Sequence, residues 1–249
     1  MSCLVSILET LGKYNVTGAT YDSSQREYAP SCLPNTRLDV MGKIWEWVSN
    51  NDGCPIYWLT GVAGSGKSTI AQTFAKDCAD ENKLAASFFF SKESAQCSSI
   101  SKIILTLAYQ LAISVPSAQG LINEALQADP SIPDKNLAVQ FTKLLYRPIL
   151  ALEHPISPMI VIIDALDECE DKGGVAKLIE IITGAFREER TFCLRFFFTS
   201  RAEDYIAAKF AEPQTRLKTS RLALEDFKRF DETEGDEIAR LSPHDLVCL

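Results

Sequence analysis

The sequence predicts an α/β fold in which a five-stranded parallel sheet is covered by helices on both faces. Three observations predict it. Strand-length apolar runs at 56–60, 85–91, 159–164 and 194–199 alternate with stretches of helical periodicity, and such alternation builds parallel sheets buried on both sides. The first run leads directly into a glycine-rich loop followed by a helical pattern. The third and fourth runs end in Asp164-Ala-Leu-Asp-Glu168 and Thr199-Ser-Arg201. Ligands of open parallel sheets bind beyond the carboxyl ends of the strands.

The elements follow in order. Residues 1–35 start amphipathic and then turn polar from Thr17 to Pro34, which reads as a flank or linker. Leu38, Met41, Ile44, Trp45 and Val48 recur at helical spacing, and Asn-Asp-Gly at 51–53 ends that helix. Ile56-Tyr-Trp-Leu-Thr60 is the first strand, and a helix runs from about Lys67 to Cys78. The second strand is Ala85-Ala-Ser-Phe-Phe-Phe-Ser91. Residues 98–147 read as helical, with stripes at Ile103, Ile104, Leu107 and Leu111, at Leu121, Ile122, Ala125 and Leu126, and at Val139, Leu144 and Leu145. Pro116, Pro130 and Pro133 punctuate them. Strands at 159–164 and 194–199 are followed by helices near 175–186 and 203–210, and 215–224 holds a fifth, weaker strand. The expected domain plan is a flank with a helix at 1–52, a nucleotide-binding domain at 53–224 and a divergent, charged, partly helical tail at 225–249.

Bulk properties narrow the function classes. A chain of 249 residues suits one α/β domain with appendages. The net charge of −8 comes without a cluster of Lys and Arg, which argues against nucleic acid as the main partner. The eight cysteines have no Cys-x-x-Cys spacing and there are two histidines, which disfavours a zinc site. Cys78 and Cys193 sit in apolar or small-residue contexts that suit reduced, buried thiols. The N-terminus lacks a basic, secretory-type start, and its apolar runs are far shorter than a membrane span. A cytoplasmic protein without a membrane span is the expectation.

The strongest motif is Gly61, Val62, Ala63, Gly64, Ser65, Gly66, Lys67, Ser68 and Thr69, which matches a P-loop. Glycines let successive backbone N–H groups turn toward phosphate oxygens without a Cβ in the way. A helix starting near Lys67 adds unpaired N–H groups and its positive dipole end. Lys67 brings a charge to the β- and γ-phosphates, and the Ser68 hydroxyl is a ligand for Mg2+. The flanking strand and helix are the context that confirms such a loop.

Ile160-Val-Ile-Ile-Asp164 is a buried strand ending in a carboxylate, which is how P-loop enzymes hold the ion; Asp164 is expected near Ser68. Asp167 and Glu168 follow, and either could orient or deprotonate an attacking water. Arg201, at the end of the fourth strand, is a candidate for stabilising the γ-phosphate. The competing reading for Arg201 is a surface pair with Glu203 or Asp204.

Several stretches, in order, carry a resemblance: Cys32-Leu-Pro-Asn-Thr36-Arg37, Ile44-Trp-Glu-Trp, the segment from Tyr57 through the P-loop, the strand at 85–91, Thr106-Leu-Ala-Tyr-Gln-Leu111, Asp164-Ala-Leu-Asp-Glu-Cys169 and Phe198-Thr-Ser-Arg201. Over roughly residues 15–210 the chain resembles the NACHT group of signal-transduction NTPases of the STAND class, especially the fungal proteins. The resemblance implies a P-loop NTPase sheet of order 5-1-4-3-2, with the Thr-Ser-Arg strand between the P-loop strand and the acidic strand. It implies a switch that nucleoside triphosphate turns on and hydrolysis turns off, with self-association or signalling proteins as partners. It favours ATP; no Asn-Lys-x-Asp guanine motif is present, and the residues alone leave GTP open. It places Thr36 and Arg37 near the base and ribose, although Thr36 would equally serve as a helix cap. Family members often have arginine where this chain has Lys92. They also continue into helical, winged-helix and repeat domains, which the ending at 240–249 does not resemble; His244 there is no stand-in for a winged-helix phosphate sensor. Truncation after the nucleotide-binding domain is therefore expected.

Two function classes follow. The first is slow, Mg2+-dependent hydrolysis of a nucleoside triphosphate as a signalling switch. The second is a nucleotide-binding interaction module without useful turnover. A small-molecule kinase is disfavoured because no arginine-rich lid follows the fourth strand.

Overall fold

The computed structural model describes residues 2–50, 53–152, 157–186 and 192–227, with side chains from Ile7 onward. Five parallel strands form one sheet: β1 (Ile56–Thr60), β2 (Leu84–Phe89), β3 (Met159–Asp164), β4 (Leu194–Ser200) and β5 (Thr219–Ala223). Their spatial order is β2-β3-β4-β1-β5, which is 5-1-4-3-2 taken from the other edge. The fold is that of a P-loop NTPase. Strand β4 therefore touches both strands that carry motifs, pairing Thr60 with Ser200 on one side and Ile163 with Phe198 on the other.

Strands β1 to β4 are predominantly apolar because both faces are covered, whereas edge strand β5 is polar and partly exposed. One face presents Tyr57, Leu59, Phe89, Ile160, Ile162 and Phe197 to two helices, α2 (Leu38–Ser49) and α3 (Lys67–Asp80). The opposite face presents Trp58, Phe88, Phe90, Val161, Phe196 and Phe198. It is covered by α1 (Ser2–Gly12), α4 (Ile103–Ser114), α5 (Pro116–Ala128), α6 (Leu137–Phe141), α7 (Arg147–Leu150), α8 (Lys172–Gly184) and α9 (Asp204–Ala211), with α10 (Pro213–Arg216) leading into β5. Each fully buried Phe contributes about 1.5–3 kcal/mol of transfer free energy, so the Phe196-Phe197-Phe198 run anchors both layers.

Local chemistry sets the helix ends. Asp171 accepts a bond from the Gly174 amide (2.8 Å) to cap α8, Asn136 accepts from the Val139 amide (3.0 Å) to cap α6, and Pro116 opens α5. The helical reading of 98–147 holds with interruptions, including a π-helical stretch at Thr142–Tyr146 before α7.

The expected stripe of α2 is corrected at Leu38, which is 63% exposed; Ile44 and Val48 are buried, Met41 and Trp45 pack against the core, and Val40 and Trp47 join the buried face. At the end of the helix the Trp47 indole N–H donates to the Cys54 carbonyl (2.6 Å), and Arg195 of β4 donates to the carbonyls of Trp47 (2.6 Å) and Val48 (3.2 Å) and to that of Asn50. These bonds satisfy carbonyls that a helix end leaves unpaired. Cys78 is buried as expected, and Cys193 is half-buried against the core.

The polar stretch after α1 is attached to the core. The Val16 amide donates to Thr106 Oγ1 (3.0 Å) and the Tyr21 amide to Ser87 Oγ (3.0 Å). Further on, the segment runs along α3: Gln72 donates to the Tyr21 carbonyl (2.7 Å), the Cys32 amide donates to Thr73 Oγ1 (2.8 Å), and Lys76 donates to Ser31 Oγ (3.0 Å). It is a strap across the sheet's α2–α3 face. A single 3-10 turn, Leu224–Asp226, straddles the start of the expected C-terminal tail; the tail from 228 on, including His244, lies outside the described residues, as do Asn51 and Asp52.

Candidate functional site

The loop between β1 and α3 has the backbone its sequence demands. Gly64 and Gly66 take φ of 74° and 90°, a region that costs other residues steric strain. Gly66 is the residue from which α3 starts, so the first amides of that helix face outward at the carboxyl edge of the sheet. Lys67 is 8% exposed and its Nζ donates to the carbonyls of Gly61 (2.7 Å) and Val62 (2.9 Å). Burial lowers its pKa, opposed by the charges of Asp167 and Asp164.

Asp164 ends β3 at 2% exposure and accepts from the Thr199 hydroxyl at 2.5 Å. The Ala165 amide donates to the same Thr199 oxygen at 2.9 Å. Burial pushes the Asp164 carboxyl up; the Thr199 hydroxyl, the nearby Ser68 and the charge of Arg26 pull it back. Ala165 has φ 56°, a conformation non-glycine residues rarely hold. It turns the chain so that Asp167 and Glu168 sit beyond the strand end in a 3-10 turn.

The two following acids differ in their ties. Asp167 is engaged through both oxygens: the Arg201 amide donates to Oδ1 (2.9 Å) and Arg201 Nε to Oδ2 (2.7 Å). Arg201 lies 3.6 Å from Glu203 as well, so its surface pairing is secondary to the one with Asp167. Asp167 raises the pKa of Arg201 and keeps it a fixed cation. Glu168 accepts only a 3.2 Å bond from the Lys92 amide at Oε2 among the contacts resolved here. Lys92 thus contributes its backbone, and its side chain is exposed.

One cleft of ≈ 490 Å³ gathers these groups: the loop residues 63–69, Lys92, Ala165, Asp167, Glu168 and Arg201. That volume is within the range of small-molecule sites. The candidate donors, the Ser68 hydroxyl in the cleft and the Asp164 carboxylate buried beside cleft-lining Ala165, are all oxygen. Such a set suits Mg2+, which takes one or two protein ligands and completes its shell with phosphate and water. The residues fit the group that the P-loop implies.

Arg37 is at this site but acts on the backbone: its Nη2 donates to the Ser65 carbonyl at 3.1 Å. It takes φ 59° at the start of α2. Thr36 does not cap that helix; it is exposed and its hydroxyl donates to the Leu33 carbonyl (2.7 Å). Two site residues had no role in the sequence reading. Thr199 was visible only as part of Thr199-Ser-Arg201, although placing that strand beside β3 would bring it to Asp164. Arg26 gave no signal at all: it lies in an aperiodic polar stretch.

The sequence model of the nephrocystin 3 N-terminal family matches residues 41–201, from α2 to Arg201. No curated protein sequence matches the chain. Among solved structures, it resembles a Walker-type ATPase of Pyrococcus abyssi, PABY2304, at 14% identity and TM-score 0.50, over 88% of this chain and 64% of that one. It also resembles the Aeropyrum pernix ORC1 protein, solved in complex with DNA, at 14% identity and TM-score 0.46, over 85% of this chain and 52% of that one. The chain thus spans between about half and two thirds of these two structures' length.

Proposed function

The chain belongs to the nephrocystin 3 N-terminal family, and we propose that it binds a nucleoside triphosphate with Mg2+ and hydrolyses it slowly as a conformational switch. The observation that carries this reading is the convergence of the P-loop with Ser68, Asp167, Glu168 and Arg201 on one cleft, next to the buried carboxylate of Asp164 that ends β3. In this reading the loop amides and Lys67 hold the β- and γ-phosphates, and Ser68 and Asp164 hold the ion. Bound Mg2+ supplies charge neutralisation on the phosphate oxygens.

The choice between Asp167 and Glu168 falls to Glu168 as the residue that orients the attacking water. Asp167 has both oxygens committed to Arg201, and a carboxylate so held is a poor proton acceptor. Asp167 instead fixes Arg201 where it can meet the γ-phosphate. Thr36 and Arg37 are assigned to the base and ribose side of the loop, Arg37 through its hold on Ser65. ATP as the nucleotide, a NACHT-type signalling role, and self-association or signalling proteins as partners rest on the sequence resemblance. So does the division into a flank at 1–52, a nucleotide-binding domain at 53–224 and a tail at 225–249.

The second reading, a binding module without useful turnover, is favoured by the same Asp167–Arg201 pair, which ties up one of the two candidate acids. Both readings are tested by Mg2+-dependent binding and hydrolysis of ATP and GTP with purified chain, Lys67→Ala and Glu168→Gln. Binding that needs Lys67, with turnover lost in Glu168→Gln, supports the switch. Binding without turnover in any form supports the module. Hydrolysis in Lys67→Ala equal to wild type sinks both site assignments.

A further inference from the structure

Arg26 lies 41 positions before Lys67 in sequence, in the strap, yet the fold brings it against β2 and α3. Three contacts fix it. Its guanidinium carbon stands 3.9 Å from the centroid of the Phe89 ring. Its Nε donates to Gln72 Oε1 at 3.1 Å. The turn that carries it, Ser24–Arg26, is capped by Ser23, which accepts from the Gln25 amide.

Both partners place Arg26 beside the ion position. Phe89 is the strand residue paired with Asp164 in the β2–β3 register, on the same face of the sheet. Gln72 is four residues after Ser68 on α3, hence one turn away on the same side of that helix. Gln72 is 1% exposed, and its amide donates to the Tyr21 carbonyl of the strap (2.7 Å). Gln72 therefore links the P-loop helix to the strap at two points. Arg26 is half-buried; burial lowers its pKa, opposed by the charges of Asp164, Cys97 and Glu168.

We infer that Arg26 is a positioning residue: from the N-terminal strap it holds Gln72 and supplies the counter-charge to Asp164 and Glu168, and so sets how strongly the site takes up a divalent cation. This rests on the nucleotide reading above. A cation beside an acidic pair offsets their mutual repulsion before the ion arrives and opposes the ion when it enters. The residues between Thr17 and Arg37 are then part of the site. Arginine suits the role because its planar group can stack on Phe89 and bond Gln72 at once.

The test is Mg2+ titration of the binding of a fluorescent, non-hydrolysable ATP analogue, at pH 8, to the full chain and to R26M, R26Q and R26K. Melting temperatures are measured alongside. In R26M the half-saturating Mg2+ concentration falls by about three- to ten-fold, because a like charge has been removed. Analogue affinity in EDTA changes less than about two-fold by the same reasoning, since the phosphates are held by the loop and Lys67. R26K keeps the charge and stays near wild type. R26Q, which can still donate to Gln72, replaces R26M should the latter fail to fold.

A purely structural role would lower the melting temperature of all variants and leave the Mg2+ requirement unmoved, and that result overturns the inference. So does an Mg2+ requirement that rises in R26M, or one that shifts alike in R26M and R26K. Wild type that binds the analogue with Mg2+ dependence identical to R26M refutes Arg26 alone. Wild type that binds no analogue at any Mg2+ concentration refutes the nucleotide reading, and this inference with it.

Discussion

Replacing Thr199 with valine exchanges a hydroxyl for a methyl at a fully buried position. Two bonds go with the hydroxyl: the one it donates to Asp164 (2.5 Å) and the one it accepts from the Ala165 amide (2.9 Å). A bond to an ionised group is worth about 1.5–3 kcal/mol, and a buried amide left without an acceptor costs about 1–3 kcal/mol. Neighbouring losses do not add fully, which puts the total near 3 kcal/mol. For a domain of this size that corresponds to a melting temperature lower by about 6–12 °C. Thr199→Ser is the control, since it keeps the hydroxyl and loses only a methyl, about 1 kcal/mol. Thermal and urea unfolding of the three proteins decide the matter. A Thr199→Val protein that melts within about 2 °C of wild type, or no lower than Thr199→Ser, refutes the claim that this hydroxyl bridges the end of β3.

Two further outcomes follow from buried charges. Burial raises the Asp164 pKa, so the folded chain binds more protons than the unfolded chain from the ordinary carboxylate range upward, and stability falls as pH rises through that window. Asp164→Asn abolishes this decline and the Mg2+ dependence of nucleotide binding; urea midpoints from about pH 4 to pH 8 check it, and parallel pH profiles for the two proteins would contradict it. Arg195→Met removes a donor from the carbonyls of Trp47, Val48 and Asn50 at the end of α2 and lowers stability by about 2 kcal/mol, with faster amide exchange at the last turn of α2. Unchanged urea unfolding would show that those carbonyls find other partners.

Much of the architecture was legible because its signals are contiguous. Each of β1 to β4 is a largely apolar run, and the P-loop, the acidic segment and Thr199-Ser-Arg201 sit at the ends of β1, β3 and β4, so spotting those runs also located the chemistry. What escaped was whatever depends on neighbours in space. The pattern of α2 offers Leu38, which is exposed, and does not show that Trp47 is buried, where it bonds to Cys54 and lies beside Arg195. The tie of Arg201 to both oxygens of Asp167 was not visible in the sequence. Arg26 lies in a stretch with no periodicity, and its contact with Phe89 depends on how the strap crosses α3. Short polar bonds between distant segments leave no periodic trace in a sequence.

The order of the strands has a consequence for how the chain acquires its shape. Strand β1, which launches the P-loop, is flanked only by β4 and β5. Both come from residues 194 onward, more than 130 positions later. As the chain emerges from the ribosome, β2 and β3 can pair first, while Ile56-Tyr-Trp-Leu-Thr60 waits with both edges open. Long-range pairings of this kind are slow, and an apolar strand with free edges is a template for self-association. The phosphate loop is thus among the earliest parts to be synthesised and among the last to be completed.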